Sequence, residues 1–386
     1  MKNYNFLISN PSKSHHIELL KEMENFNLNY KFITCYPKFL IDKNLSKKKI
    51  ISKSKYFWIY HFFRKVKFNN LMKYSFYKMF ESVENEIKKN INLNDVFLSL
   101  SGTIGNTSKE ILKNKKFFIC ERPCSHIEFQ NEIMMEEFEL CSLKYFEIDK
   151  KMIDREKREY ENAKFILTPS EFAKDTFSKK NINNVEVINY PINLSTFTKI
   201  PNEPRNKNLT LTYVGQLSLR KGVHYILDAF LKLDLKNINL NMVGYWMGNL
   251  EEKNFLIKKM NKLNNKNFKF YGKIANHNLK NILSNTDVFI SPSIEDGYAR
   301  TINEAAACGA ATIVSENTGA KDFVSKNNCG YVVPIRNIDT ICEKIIFLNQ
   351  NKDLLELLKS NALKANSKFN WSNYLIDLED KIKKYS

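Results

Sequence analysis

The sequence predicts an α/β protein built from two doubly wound, Rossmann-like domains that face each other across a cleft. Three observations carry this. Short β-rich apolar runs alternate with longer helix-periodic segments along the whole chain, as α/β layering requires. A length of 386 residues suits two ordinary domains better than one. The stretch 190–205 holds Pro191, Pro201 and Pro204 with little periodicity, and reads as a linker between two strand series. The division expected is residues 1–194, residues 195–370 and a terminal segment 371–386.

In the first series, strands are expected over Tyr4–Ser9, Lys31–Cys35, Asp95–Leu100, Phe117–Cys120 and Phe165–Thr168. Met72, Phe76, Met79, Val83 and Ile87 fall on one face of a helix between them. The charged segment from His126 to Lys164 reads as one long helix. In the second series, strands are expected over Leu209–Val214, Asn239–Val243, Phe268–Tyr271, Val288–Ser291, Ala311–Ser315 and Gly330–Val333. In doubly wound sheets ligands bind beyond the carboxyl ends of the strands, so the cleft between the domains is where a site belongs.

Composition bounds the partners. The hydrophobic content of 43% fills two cores, and the formal charge of +18 makes a polyanion or an anionic membrane face a reasonable partner. Lys, Asn and Ile are abundant together, so codon bias accounts for part of that charge. Seven cysteines, at 35, 120, 124, 141, 308, 329 and 342, form an odd, unpatterned set. That argues for reduced thiols and a cytoplasmic location. Cys120, Cys124, His126 and Cys141 lack the close cysteine pairs of a zinc site. The first ten residues have no sustained apolar core, so no secretory leader is expected, and no apolar run approaches membrane-spanning length. Residues 47–67 carry cations on either side of the aromatic run Tyr56–Phe63. Such a segment suits shallow contact with an anionic bilayer at the inner face of the plasma membrane, and equally a core-packed helix with basic ends.

The chemistry concentrates in residues 291–309, Ser-Pro-Ser-Ile-Glu-Asp-Gly-Tyr-Ala-Arg-Thr-Ile-Asn-Glu-Ala-Ala-Ala-Cys-Gly. A strand end, a glycine turn and a helix start present backbone N–H groups to an anion, with carboxylates beside them. A phosphate on the amides and hydroxyls on Asp296 and Glu304 would together be a sugar joined to a nucleoside diphosphate. Residues 213–222, Tyr-Val-Gly-Gln-Leu-Ser-Leu-Arg-Lys-Gly, add a strand, a glycine and two cations, Arg220 and Lys221, at a helix start. Paired cations there suit a diphosphate, and a solvated basic turn is the other reading.

These two stretches, together with Asn303-Glu-Ala-Ala-Ala-Cys-Gly-Ala310, resemble the retaining glycosyltransferases of family 4, also described as glycosyl transferases group 1, which have the GT-B fold. The resemblance is specific over the second domain and weaker over the first, where Pro169–Asp175 carries it; the final Phe369-Asn-Trp-Ser-Asn-Tyr374 shares it. It implies that Glu304 holds the nucleotide ribose. It also implies that Asp296, with the turn residues Gly297, Tyr298, Ala299 and Arg300, holds the transferred sugar and phosphates. The family usually has Glu at position 296, so Glu295 is expected to share the task. Gln216, after Gly215, stands where the family often has Arg, and Arg220 is expected to supply that charge beside Lys221. By the same resemblance, the backbone at Gly244, Lys273 and Ile274 faces the donor sugar or base. His126 faces the transferred sugar, and residues 371–385 form a helix that returns to the first domain. Gly102, in Ser99-Leu-Ser-Gly-Thr-Ile-Gly105, suggests close backbone approach at the cleft.

The reading is therefore a nucleotide-sugar-dependent, retaining glycosyltransferase acting on a glycan or lipid-linked acceptor in cell-surface polysaccharide synthesis. It expects no metal and no cofactor, because no DxD-type site stands out. The alternatives are a catalytically weak scaffold that binds nucleotide sugar, suggested by Asp296 and Gln216, and a polyanion- or nucleic-acid-binding protein, suggested by charge alone. No nucleic-acid reader motif is recognisable.

Overall fold

Both faces of each sheet are covered by helices, which is why the strands read as continuous apolar runs. The structure, a computed structural model, describes residues 1, 4–192, 196–200, 208–234, 236–263, 267–365 and 370–386. The first lobe runs β1 (Asn5–Asn10), α1 (His16–Asn25), β2 (Asn29–Thr34), β3 (Ile50–Ser52), α2 (Lys55–Lys65), α3 (Asn69–Lys88), β4 (Val96–Leu100) and α4 (Thr107–Lys113). It continues with β5 (Phe117–Glu121), α5 (Ile127–Leu140), α6 (Lys150–Asn162), β6 (Phe165–Thr168), α7 (Glu171–Ser178) and β7 (Val185–Val187). The second lobe runs β8 (Leu209–Leu217), α8 (Val223–Leu233), β9 (Ile238–Trp246), α9 (Leu250–Asn261), β10 (Phe268–Gly272), α10 (Asn276–Ser284) and β11 (Val288–Ser291). After it come α11 (Arg300–Ala307), β12 (Ala311–Ser315), α12 (Lys321–Lys326), β13 (Gly330–Val333), α13 (Ile338–Gln350), α14 (Lys352–Ala365) and the terminal α15 (Trp371–Tyr385).

Each lobe is one parallel sheet, ordered β3-β2-β1-β4-β5-β6-β7 and β10-β9-β8-β11-β12-β13. The winding reverses between β1 and β4 and again between β8 and β11. These are the switch points where crossovers leave to opposite sides and a crevice opens. Every residue of β11 and β12 is buried. Every strand expected from the sequence is present, and two edge strands, β3 and β7, are additional. The expected helix over 126–164 is two helices instead. Ser142 takes a left-handed φ of 54° after α5, and the Asp149 side chain caps α6 by accepting from the Lys151 amide. The expected domain boundary at 194/195, with Pro201, Pro204 and Phe369, lies outside the described residues.

Two helices cross between the lobes. Helix α5 follows β5 of the first lobe, yet Ile133, Met134 and Phe138 join the second lobe's core with Leu217, Leu219 and Val223. In the other direction, α15 follows the second lobe and places Tyr374, Leu375, Leu378 and Ile382 in the first lobe's core with Phe6, Leu19 and Leu20. Leu378 is 1% exposed. Its truncation to Ala should therefore cost about 2–5 kcal/mol of stability in urea unfolding. An unchanged midpoint would mean that α15 is a free tail.

Candidate active site

At the second switch point the carboxyl ends of β8, β9 and β11 open on a cavity of about 520 Å³. Its floor is backbone. Gly215 and Gly244 pair in register on β8 and β9, and a Cβ on Gly244 would lie 1.8 Å from the Gly215 carbonyl oxygen. Only glycine lets the two strands present bare main chain there. Its walls include Gln216, Lys221, Lys273, Ile274, Asp296, Tyr298, Ala299, Arg300 and Glu304. The first lobe contributes Pro123 and Tyr190.

The local geometry explains the cations. Leu219–Lys221 form one 3-10 turn, and Gly222 follows with a φ of 65° and starts α8. The turn aims Lys221 into the cavity, where its ammonium pairs with Asp296. The other Asp296 oxygen accepts from the Ala299 amide at 3.1 Å and closes the turn into α11. Arg300 and Thr301, the first residues of α11, line the same space. Lys273 and Arg300 add two cations without an ion pair among the described residues. The Gln216 side-chain amide donates to the Tyr245 hydroxyl at 3.3 Å, across the mouth from Lys273. Glu304 sits one turn into α11. Burial raises its carboxyl above the ordinary value and Arg300 only partly opposes this, so the acid is held in an environment that disfavours its charge.

Five expected residues are elsewhere. Arg220 turns away from the cavity and donates to Glu295 at 2.7 Å and to the Cys124 sulfur at 3.1 Å. The reason is Glu295, which is fully buried and needs a countercharge. It also accepts from the Ser125 amide at 3.0 Å and the Gln130 side chain at 2.9 Å. Glu295 thus ties the lobes together and does not share the task of Asp296. Gly297 lies against the first lobe, where a Cβ would be 1.9 Å from the Pro123 carbonyl oxygen. His126 is 1% exposed and packs against the Tyr160 and Phe177 rings. It caps α5 by accepting from the Glu128 amide at 3.2 Å, and burial lowers its pKa to about 4. It does not face the cleft. Gly102 donates its amide to Glu159 at 2.6 Å, so its loop wraps a buried acid of α6 and does not line the cavity.

The first lobe's rim holds a further group. Glu121, at the end of β5, accepts from His15 at 2.6 Å, His16 at 2.5 Å and the Tyr190 hydroxyl at 2.8 Å. Tyr190 carries this group to the cavity wall. His15, His16 and Glu121 have a donor set that fits a metal ion, as do Glu137, Cys141 and His224. In both groups a histidine is hydrogen-bonded to the acid. Cys120, Cys124, His126 and Cys141 do not converge as a metal group among the described residues. This rim is assembled from segments far apart in sequence.

Residues 196–365 match the family model described as glycosyl transferases group 1. Over 161 residues the chain is 26% identical to the capsular polysaccharide biosynthesis glycosyltransferase CapM of Staphylococcus aureus, covering 41% of each chain. Over 88 residues it is 32% identical to the N,N'-diacetylbacillosaminyl-diphospho-undecaprenol alpha-1,3-N-acetylgalactosaminyltransferase of Campylobacter jejuni, covering 23% of each. The matched stretches thus span less than half the length of these curated relatives. The whole chain superposes on sucrose-phosphate synthase of Thermosynechococcus elongatus with a TM-score of 0.73 at 14% identity, over 99% of each chain; this shows the fold.

The Glu295 seam has a pH signature. Burial by itself would raise this carboxyl, but the Arg220 charge and the Ser125 amide outweigh burial and hold it at about 2, below its ordinary 4.5. A depressed acid contributes stability that is complete above its unfolded value and lost as pH falls through its folded one. Glu295→Gln should therefore cost about 3–5 kcal/mol at pH 7 in urea unfolding. The cost should shrink as pH drops from 4.5 towards 2; a pH-independent cost would contradict it. The second lobe thus matches the model of the glycosyl transferases group 1, and the two lobes together form a GT-B fold.

Proposed function

We propose that this chain is a retaining glycosyltransferase that moves a sugar from a nucleoside-diphosphate donor to a glycan or lipid-linked acceptor in cell-surface polysaccharide synthesis. The observation that carries the reading is the convergence of Lys221, Asp296, Glu304 and the start of α11 on one cavity with a glycine floor. In this reading the diphosphate lies between Lys221 and the first amides of α11, where the helix end favours negative charge. The ribose hydroxyls meet Glu304, whose disfavoured charge gains hydrogen-bond donors when the nucleotide binds. The base lies along Lys273 and Ile274.

During transfer, the bond from the anomeric carbon to the phosphate oxygen breaks and negative charge grows on the diphosphate. Lys221 and the α11 amides are fixed beforehand where that charge appears, the arrangement that stabilises a transition state most. Arg300, at the same helix end, adds a third positive group. The new bond forms between the anomeric carbon and the acceptor oxygen on the same face, and the acceptor proton passes to the departing phosphate. The reading assigns no metal and no organic cofactor, and no nucleic-acid partner.

The donor is tested by a thermal-shift screen of UDP-, GDP-, ADP- and TDP-sugars, because binding raises stability with the logarithm of occupancy. One nucleotide class should stabilise the chain. With that donor, Lys221→Ala should lose about 3 kcal/mol of transition-state stabilisation in kcat/KM. Gln216→Ala, which removes one exposed neutral hydrogen bond, should lose no more than about 1 kcal/mol. No shift with any donor, or equal losses in the two variants, would remove the reading.

The reading includes peripheral contact with an anionic membrane, supported by the exposure of Trp58 and Phe62 on α2 among the cations of 47–67. No described helix is long and apolar enough to cross a membrane. Flotation with phosphatidylglycerol vesicles at low salt, reversed at high salt, is the expected result. A chain that stays in the aqueous fraction contradicts it.

A further inference from the structure

Beside the donor cavity lies a second, larger and mainly apolar groove of about 980 Å³. Its walls come from four places: Met72 and Phe76 on α3, Met134 and Phe138 on α5, Phe146 between α5 and α6, and Met247 after β9 in the second lobe. Gln216 lines both spaces, so the groove adjoins the donor cavity at that residue. Its inner end is polar. Arg220 lines it, and so does Ser218, which is 6% exposed and whose hydroxyl has no hydrogen-bond partner among the described residues. A buried hydroxyl left unpaired is costly unless a ligand completes it.

The other end leads to the α2–α3 hairpin. Residues 43–80 contain eleven Lys and Arg and no Asp or Glu. On the same hairpin Phe62, Phe68 and Leu71 are 61%, 57% and 40% exposed. A positive, apolar outer surface complements an anionic bilayer. One occupant fits all three parts: an apolar chain for the walls, a phosphate for Arg220 and Ser218, and an origin at a lipid surface.

We propose that this groove is the binding site for the hydrocarbon chain and proximal phosphate of a lipid-phosphate acceptor, entering from the α2–α3 hairpin. The inference rests on the glycosyltransferase reading and gives its acceptor a place. The chain lies along Phe76, Phe138 and Phe146, and the phosphate stops at Ser218 and Arg220. The sugar to be extended then passes Gln216 into the donor cavity. The phosphate also explains how Arg220 serves the site without entering the donor cavity: part of its charge balances Glu295, and its exposed side faces the groove.

The test is calorimetric titration of the full chain with farnesyl diphosphate, inorganic diphosphate and the nucleoside diphosphate found by the donor screen. Phe146 and Met247 are 64% and 41% exposed, so the double variant Phe146→Glu, Met247→Glu changes the groove without opening a core. The wild type should bind farnesyl diphosphate about tenfold or more tightly than inorganic diphosphate, since chain burial adds to the phosphate contacts. The double variant should lose that advantage and keep its nucleoside diphosphate affinity. Equal affinities for the two diphosphates in the wild type, or farnesyl diphosphate binding that the variant leaves unchanged, would overturn the groove. Farnesyl diphosphate binding without any nucleotide binding would overturn the donor reading instead and leave the groove standing.

Discussion

A fully buried carboxylate, Glu295, governs how this molecule is put together. It sits at the seam of the lobes, one residue before Asp296, the acid that lines the cavity. Burial of a lone charge would cost several kcal/mol. The chain meets this with Arg220 from the second lobe and with the Ser125 amide and Gln130 from the first. The same network extends through Arg122, which donates to Gln130 at 2.7 Å and pairs with Glu156 at 2.9 Å. The seam therefore fixes the loop after β5, the start of α5 and the turn before α11 in one arrangement. The walls of the cavity are held by contacts that are not themselves in it.

This division of labour separates neighbours in sequence. Arg220 and Lys221 are adjacent cations, and Glu295 and Asp296 are adjacent acids. Geometry pairs Arg220 with Glu295 at the seam and Lys221 with Asp296 in the cavity. One pair holds the lobes; the other lies where a diphosphate would. A ligand phosphate would compete with Asp296 for Lys221, so binding and a change of partner are linked at that ammonium. The two helices that cross between the lobes act with the seam. The α5 helix puts apolar residues in the second core, and α15 puts them in the first.

Much of this was legible in the sequence, for physical reasons. Strands β11 and β12 are buried throughout, so they stand out as apolar runs. That the loop-helix residues gather on one cavity was legible because they are consecutive, and the turn delivers them together. The three-residue edge strands β3 and β7 were not, since each is short and partly exposed. The break between α5 and α6 was hidden because charged residues run through it, and a single left-handed residue and a cap make the turn. His126 was misread because a helix N-cap and a ligand-facing histidine occupy the same kind of position; rings from α6 and α7 bury it. Arg220 was misread because its partner lies 75 residues away. The His15–His16–Glu121–Tyr190 rim was not legible as a group, because its members meet only in the fold.

The central claim is that Lys221 and the first turn of α11 form the anion end of a nucleotide site on a glycine floor. A crystal structure with a nucleoside diphosphate bound tests it most directly. The account predicts the terminal phosphate within hydrogen-bond reach of the Lys221 ammonium and the α11 amides, with the ribose on Glu304. A nucleotide seated elsewhere, with Lys221 still closed on Asp296, would contradict it.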